Sequence, residues 1–248
     1  MQNLLFDNFF VLFCLSGPDA ERYLHNRTTQ NIKALEIEQS REALITTPQG
    51  KLQGKCLIFR KAKDQFLILA DISPSSPAEL FLQALLQFKV ADRFEVIKMS
   101  LAEVNLVELG LNRDLFAASS KTEFHLCRIK AKQPHYGIDL DEHVSAVELL
   151  DERALCPYIS GNKGCYTGQE VIEKASAIGK APRVFKLIKA SSCEVGVEIL
   201  TQNNEVAGAI TSAAQDPISG ESFGLALIRS RQLGQSLTVN GTPVTLLS

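Results

Sequence analysis

The last quarter of the chain narrows the fold most. From about residue 186, "KLIKA", "VGVEILT", "EVAGAITSA", "SFGLALIR", "QSLTVN" and "TPVTLLS" follow one another as short, β-rich runs. Turn chemistry separates them at Asn203-Asn204, at Asp216-Pro217 with Ser219-Gly220, and at Asn240-Gly241. Asn-Gly suits a two-residue hairpin, because both central residues must take positive φ. Short strands at this spacing predict a small antiparallel barrel or sandwich over residues 186–248.

Residues 1–185 read differently. "FFVLFCL" (9–15) is a seven-residue apolar run. It is too short for a membrane helix, and no Lys or Arg precedes it as in a secretory signal, so it predicts a core strand. "SGPDAERYLHN" predicts a helix start with Ser16 as N-cap, Pro18 in the first turn and Asp19 three residues after the cap. "REALITTPQGKLQGKCLIFR" predicts a hairpin turning at Pro48-Gln49-Gly50. "DQFLILAD", "RFEVIKM" and "EVNLVEL" predict strands. "SPAELFLQALLQFK" predicts a helix with Leu80, Phe81, Ala84, Leu85 and Phe88 at helical spacing. Strand and helix signals mix without regular βαβ alternation, so the fold class is α+β.

Composition excludes more than it selects. The 248 residues suit one large domain or two smaller ones. With 26 basic against 28 acidic residues, no global charge marks nucleic acid or an anionic membrane. The six cysteines (14, 56, 127, 156, 165 and 193) form no C-x-x-C pair and predict free thiols in a reducing cytoplasm. The four histidines have no metal-ligand spacing, so no zinc site is expected.

One motif carries chemistry: "KGCYTGQE", residues 163–170. With Thr167 as N-cap, Thr167 and Glu170 make a capping box, and Tyr166 with Val171 makes a hydrophobic staple. Val171, Ile172, Ala175 and Ile178 form an apolar stripe, and Gly179 stands where a C-terminal cap belongs. These signals predict a helix over about 168–178. Cys165 then lies near the positive end of a helix dipole, with Lys163 two residues earlier. That setting favours a thiolate. Gly164 and Gly168 leave the backbone open to a ligand. The competing reading gives Gly164 a positive φ and makes Cys165 a small buried hydrophobe. Basic residues surround the motif: Lys163, Lys174, Lys180, Arg183, Lys186 and Lys189, with Lys121, Arg128, Lys130 and Lys132 in an earlier cluster. Such a region would draw an anionic ligand.

"KGCYTGQE" resembles the signature of the YgfZ-type folate-binding proteins, relatives of the glycine cleavage aminomethyltransferase (T-protein). "LSGPDAERYLHNRTTQN", "LITTPQGKLQGKCLIFR", "RIKAKQPHYGIDLDE", "VAGAITSA" and "GLALIR" resemble further stretches of that family in order. The resemblance implies two interlocked α+β subdomains plus a small barrel, around a channel that binds tetrahydrofolate or a derivative. It implies a cytoplasmic, monomeric accessory protein supporting iron–sulfur enzymes, including tRNA-modifying ones, with iron–sulfur enzymes or cluster-assembly proteins as partners. Nucleic acid is an optional partner and a membrane is not one. Cys165 would be its functional thiol. Arg128 matches a folate-contacting arginine, and a guanidinium can hold a carboxylate tail by two bonds. Lys163, Gly164, Tyr166, Gly168, Gln169, Glu170 and Lys174 complete the implied site.

The departures from that pattern are specific. Where the transferases carry paired hairpin aspartates, one of them catalytic, this chain has Gly54 and Lys55. Asn31 replaces an aspartate, and Lys174 replaces an arginine. Aminomethyl transfer is therefore read as lost. The alternatives are a folate-dependent one-carbon transferase using Glu170 and Lys163 for proton transfer, and an RNA- or protein-binding module with a vestigial folate pocket.

Overall fold

The computed structural model describes residues 5–111, 113–149, 157–178 and 181–247. The expected cap at Gly179, the thiol of Cys156 and the charge of Lys180 lie outside the described residues. The described architecture is mixed α+β, built on two antiparallel sheets.

The first sheet has the order β2-β3-β4-β1-β5. The strands are β1 (Phe10–Ser16), β2 (Ser40–Thr46), β3 (Leu52–Ala62), β4 (Gln65–Asp71) and β5 (Glu95–Met99). β1 lies between β4 and β5 and is covered on both faces. Val11, Phe13 and Leu15 enter one core while Phe10, Leu12 and Cys14 enter another. A strand buried on both sides needs apolar residues at every position, which is why "FFVLFCL" does not alternate. β2 and β3 form the expected hairpin. Gly50 turns it with φ +72, and its N–H donates to the Thr47 carbonyl at 2.9 Å.

Helices α1 (Ala20–Arg27) and α2 (Ala78–Leu86) cover the first face. On the second face, the phenylalanines before β1, the 101–118 segment and α3 (Lys121–Lys130) close a separate core. There the rings of Phe9 and Phe124 stack with centroids 4.1 Å apart.

Three expectations shift. Ser16 does not cap α1: it ends β1 opposite Gln65, and the helix begins after Asp19. The Asp19 carboxylate serves Arg93 instead of the helix end. Residues 103–109 are not a strand. The Asn105 side chain accepts from the Val107 N–H and folds the chain into a turn, burying Leu106 and Leu109. A side chain that bonds its own backbone two residues on competes with a strand ladder. In α2, Phe81, Ala84 and Leu85 face the core while Leu80 is exposed, and Phe88 lies beyond the helix, also exposed.

The second sheet has seven strands in the order β11-β10-β7-β8-β9-β6-β12 and curls into a nearly closed barrel. Its strands are β6 (Arg183–Ala190), β7 (Glu198–Thr201), β8 (Val206–Gln215), β9 (Ser222–Arg229), β10 (Leu237–Val239), β11 (Thr242–Pro243) and β12 (Thr245–Leu247). Asn240 and Gly241 take φ +50 and +75, as a two-residue hairpin requires. Ile129 of α3 packs against Leu187, Phe223 and Leu225, joining the barrel to the rest of the molecule. No described helix is long and apolar enough to cross a membrane.

Candidate functional site

A cavity of about 550 Å³ lies on the second face of the first sheet. Strand alternation builds its floor. Ser40 and Glu42 of β2, Lys55 and Leu57 of β3, and Leu69 and Asp71 of β4 all point to that side. Phe10, Leu115 and Phe124 supply apolar wall. Gly54, the neighbour of Lys55, faces the opposite way: a Cβ there would lie 2.8 Å from the Phe81 ring. Of Gly54 and Lys55, only Lys55 therefore reaches the cavity.

Lys55 is buried, and its ammonium is held between Asp71 Oδ2 at 3.3 Å and Glu42 Oε1 at 3.4 Å. It also lies 5.6 Å from the Tyr158 ring centre. Burial works against this charge, but the two carboxylates outweigh it and hold the Lys55 pKa above the ordinary lysine range. The group is thus a fixed cation, unable to accept a proton from a substrate. Asp71 is shared further: it accepts from the Tyr136 N–H at 3.0 Å and faces His135 Nδ1 at 3.4 Å. Burial lowers the His135 pKa despite Asp71, so the ring stays neutral near pH 7.

Arg128 lines the same cavity but is only 2% exposed. Its guanidinium is engaged in three directions. Nη1 donates to Asp139 Oδ2 at 2.5 Å, Nη2 to Ser212 Oγ at 2.5 Å, and Nε to His125 Nδ1 at 3.0 Å. Burial and the Arg128 charge lower His125 to about 4, which keeps its ring an acceptor. Arg128 therefore ties α3, the Asp139 turn and β8 together, and its planar fork already faces protein partners.

The signature residues gather elsewhere, and none of residues 163–174 lines the cavity. Helix α4 runs from Gln169 to Ile178, close to expectation. Its capping differs. Glu170 pairs with Lys174 at 2.6 Å instead of reaching back to Thr167. Gln169 Oε1 accepts from the Tyr166 N–H at 3.3 Å, so the side chain that reaches back belongs to the residue before Glu170. Val171 is 41% exposed and outside the core, while Tyr166 and Ile172 are buried, so the expected staple is not made. The glycine with positive φ is Gly168 (+85), not Gly164. A Cβ on Gly168 would lie 2.6 Å from the Thr47 carbonyl oxygen, because the β2–β3 turn presses against the loop.

Most of the signature serves this docking. The Lys163 ammonium donates to the carbonyls of His25, Thr28 and Gln30, at and beyond the C-terminal end of α1. Burial lowers its pKa to about 7. Thr46 Oγ1 donates to the Thr167 carbonyl at 2.6 Å. Asn31 Nδ2 donates to the Asn162 carbonyl at 3.2 Å, a bond an aspartate there could not make. Cys165 is left exposed at the surface. The reading of Cys165 as a small buried hydrophobe is thereby overturned. Cys165 lies four residues before Gln169, the first helical residue, with the left-handed Gly168 in between.

Part of the expected anion-attracting region is paired with its own acids. Lys130 pairs with Asp216, Arg183 with Glu148, Lys189 with Glu221 and Lys174 with Glu170. Among the described residues, no group of three or more His, Cys, Asp or Glu is placed to hold a metal. Sequence reasoning missed Glu42, Asp71, Asp139 and His135 as members of the cavity network. A signal existed for Asp71: a carboxylate closing the apolar run of β4 needs a partner if it is buried with it.

This architecture has been seen in a crystal structure. The glycine cleavage system aminomethyltransferase T of Bartonella henselae superposes with a TM-score of 0.78, covering 96% of this chain and 83% of that one at 15% identity. The chain thus carries the aminomethyltransferase T fold. An uncharacterized protein of Haemophilus influenzae is 26% identical over 233 residues, spanning 82% of this chain and 81% of its own length. No family model matches.

Proposed function

We propose that the cavity binds a tetrahydrofolate, and that the protein is an accessory factor supporting iron–sulfur enzymes rather than an aminomethyltransferase. The observation that carries this reading is the cavity itself, with the fixed ammonium of Lys55 in its floor. Its volume of about 550 Å³ falls within the range of small-ligand sites. Aromatic and aliphatic walls suit a flat heterocycle, and the charged floor can orient it. The aminomethyltransferase fold and the resemblance of "KGCYTGQE" and its companion stretches to folate-binding proteins favour folate as the occupant. Lys55, protonated and paired, cannot take a proton from a folate nitrogen, so binding is retained in this reading and transfer is not.

Cys165 belongs to a second part of the proposal. It is exposed, on a loop pinned by Lys163, Asn31 and Thr46, and outside the cavity. Its role is then toward a partner, an iron–sulfur enzyme or a cluster-assembly protein. A single cysteine cannot complete a cluster site, which takes four ligands, so any contact with a cluster is shared with the partner.

The test has two arms. Calorimetric titration with tetrahydrofolate is expected to give saturable one-site binding; no heat at millimolar ligand contradicts the folate reading. In a strain lacking the native protein, Cys165→Ser is expected to fail to restore the iron–sulfur enzyme activities that the wild-type gene restores. Full rescue by the variant contradicts the functional thiol.

A further inference from the structure

We infer that Glu42 is the recognition carboxylate of the cavity, taking the amino-pyrimidinone edge of a pterin. This deepens the folate reading and rests on it. The starting point is the bonding of each acid around the cavity. Asp71 is 3% exposed and already serves Lys55, the Tyr136 N–H and His135. Asp139 accepts from Arg128, the His135 N–H, Thr211 and Ser212. Glu42 differs from both. Its side chain is 29% exposed, it lines the cavity, and among the described residues its one partner is Lys55 at 3.4 Å through Oε1. Acceptor capacity on Oε2 is left for a ligand.

Lys55 fixes this group. Leu44 stands opposite Lys55 and Leu57 opposite Glu42, so Lys55 and Glu42 are diagonal neighbours on one face of the sheet. The ammonium 3.4 Å away therefore sets the rotamer of the carboxylate. An ionised carboxylate presents acceptors only. The ligand edge it matches is a pair of adjacent N–H donors, which the 2-amino group and the neighbouring ring N–H of a pterin supply. Such charge-assisted paired bonds combine geometric selection with strength. The apolar wall nearby (Leu57, Leu69, Phe10) would then flank the ring faces.

The experiment titrates wild type and Glu42→Gln with two probes, tetrahydrofolate and its 2-desamino analogue. Wild type is expected to bind the analogue roughly 10- to 100-fold more weakly, the range for losing a hydrogen bond to a charged group. Glu42→Gln is expected to lose a similar factor for tetrahydrofolate and to distinguish the two ligands less than about threefold. Equal affinity of wild type for both probes overturns the inference, and that arm needs no variant to fold. Glu42→Gln binding tetrahydrofolate like wild type also overturns it, with the folate reading still standing. Wild type that binds neither probe overturns the folate reading itself.

Discussion

The cavity and the signature loop are opposites in construction. At the cavity, the buried cations are matched by acids: Lys55 by Asp71 and Glu42, and Arg128 by Asp139. In the loop, the Lys163 ammonium and the Thr167 carbonyl are tied to neighbouring elements, and the Cys165 thiol is exposed. A buried, pre-paired set of charges makes a rigid receptor, whose polar groups need no reorganisation to meet a ligand. In the proposed reading, the exposed thiol on its pinned loop is the contact point for a partner. The conspicuous motif and the ligand-sized space are therefore different parts of the molecule, and each can be broken separately.

The largest effect is expected at the cavity floor. Lys55→Met leaves Asp71 and Glu42 facing one another without a cation. Breaking a buried pair by removing one partner costs about 3–5 kcal/mol, to be read from denaturant unfolding. A loss below about 1 kcal/mol would mean that water already compensates these charges. Next comes the loop. Gly168→Ala forces a Cβ into a left-handed position 2.6 Å from a carbonyl oxygen. About 2–3 kcal/mol is expected, with faster amide exchange around residues 163–170. A stability change without that exchange change would place the strain elsewhere.

A pH series reaches the Arg128 network. Burial holds His125 at about 4 in the folded state, against about 6.5 when unfolded. The unfolded chain therefore binds more protons between these values, and stability falls as pH drops from 6.5 toward 4. Because His125 is partly exposed, about 1–2 kcal/mol is expected from this group. His125→Asn should flatten that part of the profile. The smallest effect belongs to Cys165→Ser, which should change stability by less than about 0.5 kcal/mol, as for an exposed surface side chain.

How much of this could be read from the sequence depends on how local each signal is. The apolar β1 run, the Gly50 hairpin and the Asn240-Gly241 turn were legible because one short stretch holds the whole cause. The start of α4 was legible to within a residue, but its capping was not. That depends on Gly168 meeting the β2–β3 turn, more than a hundred residues away in the chain. "EVNLVEL" misleads because its alternation imitates a strand while Asn105 bonds back to its own chain. The cavity was the least legible. Glu42, Lys55, Asp71 and Arg128 lie on four separate elements, and no spacing within the sequence relates them. Lys55 stood out only as a departure from a family pattern.

The central claim is that the cavity, and not the signature loop, holds the ligand. Tetrahydrofolate titrations of Cys165→Ser and of Leu57→Trp, a cavity-filling change, test it side by side. The account predicts wild-type affinity for Cys165→Ser and loss of binding for a folded Leu57→Trp. Binding lost in Cys165→Ser and kept in Leu57→Trp would contradict it.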